Sequence, residues 1–489
     1  MTSSPRRLQA QLESEDFSCE RLHIARVSGR ERISQLFRFE ILVVSTDPDG
    51  LDVEKVAGAC GGATLVFVDE KGERRRIHGI IVEATDLLDS ESEYLTYRLV
   101  LVPRLFQMTL IRTQDVFVDV NVPDILLKKA ALIALTPDSQ DIEVRLLRPA
   151  DYPIREFVIQ YAETDLAFVS RLAEHLGVSF LFEHAGGRDR TVFTDHISGF
   201  PRIEDAVPFR PRGERRDVYR LELTSRVIPA FYAVQDYDYE KPLVDLTSTH
   251  ESTRGFSGGV VEFGSNFKDA GTGGRLARVR AEEQEAHSLS YTGESGVCEL
   301  SAGSRFTLAG HPRLGDRELL VVEVEHQLIQ APLGAGETSE PPSYHNVFHA
   351  IPAESLYRPA RVTPRPRIAG IMNGIVEALP GAPVVQPWID TMGRYYVRLL
   401  FDTAPPGERK ASLPIRMAQS QSGPDHGFHF PLRPGTEVLL AFVDGDPDRP
   451  VIVGSVPNAV TPSPVVQGDN VRNRIKTSSG VIIEINDGI

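Results

Sequence analysis

Short runs of alternating apolar and polar residues, cut by turn-forming clusters, recur along this chain more often than the three-to-four spacing of helices. Phe37–Val44, Ala63–Val68, Ile77–Val82 and Tyr94–Val102 read as strands at hairpin-like intervals, and Thr46-Asp47-Pro48-Asp49-Gly50 stops the first of them. Three stretches have helical spacing instead. The first is ILLKKAALIAL, which follows Val122-Pro123-Asp124, where proline and aspartate serve as helix starters. In Thr164–Leu176, Leu166, Val169, Leu172, Ala173 and Leu176 form one apolar stripe. Thr164 is placed to cap that helix, Asp165 to complement its dipole, and Gly177 to take the C′ position. The third helix is predicted over Gly273–Ala286. Strand-like Glu156–Tyr161 and Val178–Glu183 flank the second helix, giving a strand–helix–strand unit. Strands return at Ser304–Leu308 and Leu319–Leu328, and Gly334–Pro342 reads as a flexible acidic loop.

Between Pro352 and Pro366 the composition turns to proline and arginine, which marks a domain boundary. Beyond it, Gly374–Glu377, Tyr395–Phe401, Ile415–Met417, Glu437–Val443 and Val451–Val456 read as five short strands with a long loop at Ala418–Pro434. That pattern suits a small Greek-key barrel of the OB type. Val438, Leu440 and Phe442 share one face of the fourth strand. Proline fixes φ, glycine permits positive φ, and aspartate hydrogen-bonds its own turn. Gly435, Asp444, Gly445, Asp446, Pro447, Asp448 and Pro450 are therefore read as structural turn residues. A metal loop would need an oxygen-rich alternation that this stretch lacks.

The last segment changes character after the stiff connector Thr461-Pro462-Ser463-Pro464. Asn473–Gly480 is polar and hairpin-like, and the alternation that follows puts Val481, Ile483 and Ile485 on one face, with Ile482, Glu484 and Asn486 on the other. So short a piece with an open strand edge is not stable alone. Other copies of the chain are its natural partners, because a closed ring would satisfy every edge.

Composition narrows the function. With 489 residues, 41% hydrophobic and 25% charged, the chain is ordinary globular protein, long enough for about three domains. Its 53 basic and 68 acidic side chains give a net charge of −15, which argues against wrapping nucleic acid. The barrel's Phe428, His429 and Phe430 could imitate the aromatic platform of a single-strand binder, but fold alone does not license that reading. Cys19, Cys60 and Cys298 are too few and too scattered for a disulfide framework or a zinc cage. The first residues hold no apolar signal-peptide core and no apolar run approaches roughly 20 residues, so folding in the cytoplasm is expected. Arg74-Arg75-Arg76 is read as a solvated strand end, His175 as a solvated histidine at a helix terminus, Asp195-His196 as a turn, and Tyr237 and Tyr239 as structural tyrosines. No nucleophile elbow, metal-spaced histidine pair or phosphate loop is present, although DGDPDRP and His426/His429 are where a carboxylate- or metal-dependent hydrolase would place its groups.

Several motifs together resemble a known family. LFRFEILVVS, RIHGIIVEA, YRLVLVPRL and Val122–Leu126 come first, followed by Tyr161–Glu174 and Asp236-Tyr237-Asp238-Tyr239 before Lys241-Pro242. YHNVFHAIP and YRPARVTPRPRIAG then lead into GFHFPLRPGTEVLLAFVDGDPDRPVIVGSVPN and NRIKTSSGVIIEIND. In this order they resemble VgrG, the spike protein of type VI secretion systems, itself similar to fused hub and needle proteins of contractile phage tails. The family's tryptophan before the long barrel loop is replaced by Ser412-Leu413-Pro414-Ile415-Arg416, and Trp388 is the chain's only tryptophan.

The resemblance implies a mainly β chain with a few helices (α+β). Residues 1–370 would form a phage-hub-like domain of two barrel-like subdomains, 371–460 an OB-fold needle base, and 461–489 the neck and first strands of a trimeric β-helix. It implies a homotrimer with Val481, Ile483 and Ile485 at the threefold axis, offering a pseudo-sixfold ring to a hexameric Hcp-like tube protein. Baseplate components, a PAAR-like tip and effector cargo are further implied partners, with only transient membrane contact. The spike would assemble in the cytoplasm and be ejected. Neither a cofactor nor an enzymatic cargo domain is expected. The alternative within the same machine class is the hub-spike of a phage tail or extracellular injection particle.

Overall fold

The computed structural model describes residues 8–58, 62–88, 94–213, 217–330, 341–378, 386–402 and 414–488. Cys60, Ser412, Leu413 and most of the acidic loop expected at Gly334–Pro342 lie outside them. Among the described residues strand outweighs helix, with four α-helices: α1 (Val53–Gly58), α2 (Val122–Ala131), α3 (Asp165–Leu176) and α4 (Ala270–Ser288). Helix α1, at six residues, is too short to show a helical period in sequence. The chain divides into two compact units, Met1–Ile111 with Leu126–Tyr152 and Asp165–Pro364, and Arg112–Ile125 with Pro153–Thr164 and Arg365–Ile489.

The first unit is built on a twelve-stranded sheet. Its strands run in the spatial order Gln9–Glu13, Gly62–Asp69, Gly72–Asp86, Leu95–Val102, Arg38–Ser45, Leu22–Arg32, Gly315–Ile329, Ser343–Pro352, Leu289–Ser295 and Val218–Ser225, with Arg305–His311 and Val207–Pro208 branching from Gly315–Ile329. Alternation decides which side chains go inward. Phe39, Ile41 and Val43 are fully buried in one core with Leu65, Ile77, Leu99 and Leu101, while Phe306, Leu319, Val321 and Phe348 fill a second core farther along the sheet. The two halves join where Arg26–Arg32 pairs antiparallel with Glu323–Ile329.

That seam holds a buried polar network that corrects the reading of Arg74–Arg76. Arg75 is buried; its Nη2 donates to Glu31 Oε1 at 2.6 Å and its Nη1 to the carbonyls of Cys298 and Leu300. Arg74 pairs with Glu299, while Arg76 pairs with Glu13 at an exposed position, so it is Arg75 and Arg74 that depart from a solvated strand end. His326 Nε2 lies 2.8 Å from Glu31 Oε1 and its Nδ1 2.8 Å from Tyr344 Oη. A neutral ring protonated on Nε2 fits both, donating to the carboxylate and accepting from the phenol. Burial alone would raise the Glu31 pKa, but Arg75 and His326 outweigh it and hold the carboxyl down at about 2.

The second predicted helix forms as α3, but its surroundings differ from expectation. Thr164 closes the strand Arg155–Thr164, and Asp165 is buried against Lys129 Nζ at 2.9 Å. Gly177 takes φ +72° at the C′ position, with its N–H donating to Glu174 O and that of Val178 to Ala173 O. His175 is not simply solvated, because Arg280 donates to its Nδ1 at 3.0 Å and to its carbonyl at 2.9 Å. The flanking strands do not make one unit. Arg155–Thr164 pairs with Arg112–Val120, whereas Ser179–Glu183 pairs with Arg190–Thr194. Helix α2 is capped by Asn121, whose Oδ1 accepts from Asp124 N at 2.8 Å. Asp195 ties its turn down by accepting from Leu147 N and Tyr152 Oη, both at 2.8 Å.

In the second unit the five predicted barrel strands appear as Met372–Val376, Tyr395–Leu399, Pro414–Ile415, Glu437–Phe442 and Pro450–Ser455. Their order is Pro414–Ile415, Tyr395–Leu399, Met372–Val376, Glu437–Phe442, Pro450–Ser455. A parallel bridge from Met417 to Ile452, with Ala418 N donating to Ile452 O at 2.7 Å, joins the first strand to the last and closes the barrel. Val376, Tyr395, Val397, Leu399, Val438, Leu440 and Ile452 fill it.

Candidate functional site

The carboxyl-terminal hairpin is built from Arg472–Lys476 and Ile482–Asn486. Its turn is tight because Gly480 takes φ +92°, its N–H donates to Thr477 O at 3.0 Å, and Val481 N donates to Thr477 Oγ1. The register sets Ile475 opposite Ile483 and Asn473 opposite Ile485. Cross-strand partners share a face, so Ile475 joins Val481, Ile483 and Ile485 there, with Val471 at its end. Exposure is 61% for Val481, 61% for Ile483, 63% for Ile485 and 44% for both Ile475 and Val471. Ile475 and Val471 were missed in the sequence because the alternation of the first strand is masked by its arginines. The opposite face is salt-bridged, Arg474 Nε donating to Glu484 Oε2 at 2.7 Å. Five half-exposed aliphatic side chains thus form a row on one face, and covering the exposed half of each is worth about 1 kcal/mol.

Each predicted turn residue lies at a turn. Asp444 takes φ +55°, Gly445 φ +72° and Gly435 φ +88°. Asp446 N donates to Val443 O and Arg449 N to Asp446 O, while Pro450 opens the returning strand opposite Phe442. Pro447 stands between two aspartates that face fixed donors. Asp446 Oδ2 accepts from Arg365 Nη2 at 2.6 Å, and its Oδ1 from Asp448 N at 3.1 Å. Asp448 Oδ1 accepts from the Ile159 amide at 2.7 Å. Both carboxylates are thus committed to cations and backbone N–H groups, and the turn is a structural node.

The barrel's long loop is fixed by its histidines. Gln419 donates to His429 Nδ1 at 2.7 Å, which leaves Nε2–H to face Tyr395 Oη at 2.8 Å. His426 Nδ1 donates to Pro424 O. Arg433, at the end of this loop, donates to Ser478 Oγ in the hairpin turn at 2.6 Å. Phe428 and Phe430 stack edge-on at 4.9 Å and are half-exposed. Among the described residues, no three acidic, histidine or cysteine side chains converge as a metal site.

Residues 30–332 match the family described as the phage tail baseplate hub (GPD), over more than half of the chain. The chain belongs to the phage tail baseplate hub family. In this hub chain, residues 382–456 also match the type VI secretion system/phage-baseplate injector OB domain. The chain is 29% identical over 450 residues to the type VI secretion system spike protein VgrG1b of Pseudomonas aeruginosa, covering 90% of this chain and 59% of that protein. It is 30% identical over 466 residues to VgrG4b of the same organism, covering 91% and 55%. The actin cross-linking toxin VgrG1 of Vibrio cholerae is 29% identical, over 80% of this chain and 36% of the toxin. The chain spans less than two thirds of the length of these curated relatives. Among solved structures, the E. coli c3393 protein, a type VI secretion component similar to T4 bacteriophage tail proteins gp27 and gp5, superposes with a TM-score of 0.66 at 26% identity, covering 91% of this chain and 100% of that one. A chain of the Francisella PdpA–VgrG complex shares the fold at TM-score 0.63 and 9% identity, covering 98% of this chain and 75% of that one.

Proposed function

We propose that this hub chain is the structural subunit of a contractile-injection spike: a homotrimer that caps the tube, punctures a membrane and carries effectors. The observation that carries the reading is the apolar face of the hairpin Arg472–Asn486, half-exposed among the described residues of a chain that matches both hub and injector barrel. In a threefold assembly Val481, Ile483 and Ile485 would turn toward the axis, with Ile475 and Val471 extending the seam. Similarity to type VI secretion system spike proteins of Pseudomonas favours a secretion system over a phage tail or extracellular particle. The finer partners belong to the same proposal. They are a hexameric Hcp-like tube protein and baseplate components at the hub end, a PAAR-like protein at the tip, and cargo. Assembly in the cytoplasm followed by ejection is likewise part of it.

The role proposed for these domains is mechanical. A hydrolase on DGDPDRP or on His426 and His429 loses its basis because those side chains hold the barrel's turn and loop. Ile483→Asp tests the reading. The variant should keep hub and barrel folded and lose trimers in mass photometry, with association weakened tenfold or more; a fully trimeric variant would contradict it.

A further inference from the structure

The barrel's core includes side chains from far outside the barrel's own sequence. Arg112–Val120 and Arg155–Thr164 form an antiparallel ribbon, with Val116 opposite Ile159 and Val118 opposite Phe157. One face of that ribbon is therefore apolar, and Val116, Phe157 and Ile159 are buried in one cluster with Val376, Tyr395 and Leu440 of the barrel. Tyr161 adds a ring contact to Phe401 at 6.0 Å. The polar lock is the acidic turn, where Asp448 Oδ1 accepts from the Ile159 amide at 2.7 Å. A charged acceptor on a backbone N–H is among the stronger hydrogen bonds, and an edge strand has its amides available for it.

Chain topology makes this more than a packing detail. The backbone passes between the two units at 111/112, 125/126, 152/153, 164/165 and 364/365. A barrel strung on the Pro/Arg linker would use only the last of these. We infer that the ribbon is a strap: the barrel is clamped onto hub sequence by its own core, so a pull that separates the two must unpack Val116, Phe157 and Ile159 and break the Asp448 hydrogen bond, and does not merely stretch the linker. The strap deepens the spike reading, since it supplies a path for force between hub and needle base, but it rests on separate observations and is tested separately.

A site-specific protease sequence inserted between Pro364 and Arg365 of the full chain provides the test. After cleavage, complete on a denaturing gel, the 1–364 and 365–489 fragments should still co-elute in one native peak. In the Phe157→Ala/Ile159→Ala form the barrel fragment should leave at least about tenfold faster. Fragments that part at once with the ribbon intact would overturn the strap. Without any insertion, Asp448→Ala, which removes the acceptor, should raise the hydrogen-exchange rate of the Ile159 amide about tenfold while the Glu437–Phe442 amides stay protected; an unchanged Ile159 rate would also overturn it. The mass of the uncut chain keeps the two readings apart. An uncut monomer whose fragments stay together retains the strap and sinks the spike, and a trimer whose fragments part does the opposite.

Discussion

Two strands of this chain carry nearly the same alternation and meet opposite fates. In Glu437–Phe442, Val438 and Leu440 are fully buried and Phe442 is 8% exposed; in the terminal hairpin, Val481, Ile483 and Ile485 are between 61% and 63% exposed. The barrel strand has neighbours on both sides and a ring closed by the Met417–Ile452 bridge, so its apolar face is covered within its own chain. Among the described residues, the two strands of the hairpin pair only with each other. Alternation says that a face wants burial; whether the same chain supplies the cover is decided by topology. An apolar face left open among the described residues is the one the proposed assembly would cover.

That contrast can be broken at several points, in falling order of effect. Leu440→Asp places an unpaired charge in the closed barrel and should destabilise it by more than about 4 kcal/mol, read as loss of the barrel's cooperative melting transition. Glu31→Gln leaves the buried Arg75 without its counter-charge and should cost the hub sheet about 3 kcal/mol in denaturant unfolding, with the barrel unaffected. Ile483→Asp should change chain stability by no more than about 0.5 kcal/mol, because the residue faces water within the chain, yet weaken trimer association tenfold or more. A melting temperature that falls as far as for Leu440→Asp would mean the hairpin is covered intramolecularly.

A further test is a pH slope in the hub. Burial, reinforced by Arg75, depresses the His184 pKa to about 3, and its Nε2 is buried without a hydrogen-bond partner. The unfolded chain binds a proton there below its ordinary value of 6.5 while the folded chain does not. Stability is therefore full above that value and declines as pH falls toward 3. Glu31, held at about 2 against an ordinary 4.5, adds a second loss that begins below 4.5. His184→Asn keeps an acceptor for the His78 amide and should flatten the decline between pH 6.5 and 4.5, measured by urea unfolding. An unchanged slope would place the proton uptake on other groups.

Much of the architecture was legible in the sequence because its signals are local. The five barrel strands were readable to within a few residues from alternation, and the DGDPDRP turn from proline, glycine and aspartate chemistry. What could not be read depends on partners distant in sequence. Arg75 finds Glu31 and the carbonyls of Cys298 and Leu300, so a basic triplet that reads as solvated becomes the buried pin of a sheet seam. The strands at Arg112–Val120 and Arg155–Thr164 show no local sign that their apolar face belongs with a barrel whose strands begin at Met372. At the candidate interface, Val481, Ile483 and Ile485 were visible as one face, whereas adding Ile475 and Val471 required the hairpin's register.

The central claim is that the exposed hairpin face is covered by sister copies. Native mass spectrometry of the intact chain tests it most directly: the account predicts a species containing three copies of the 54.1 kDa chain. A single copy at micromolar concentration, with Val481, Ile483 and Ile485 still open to solvent labelling, would contradict it.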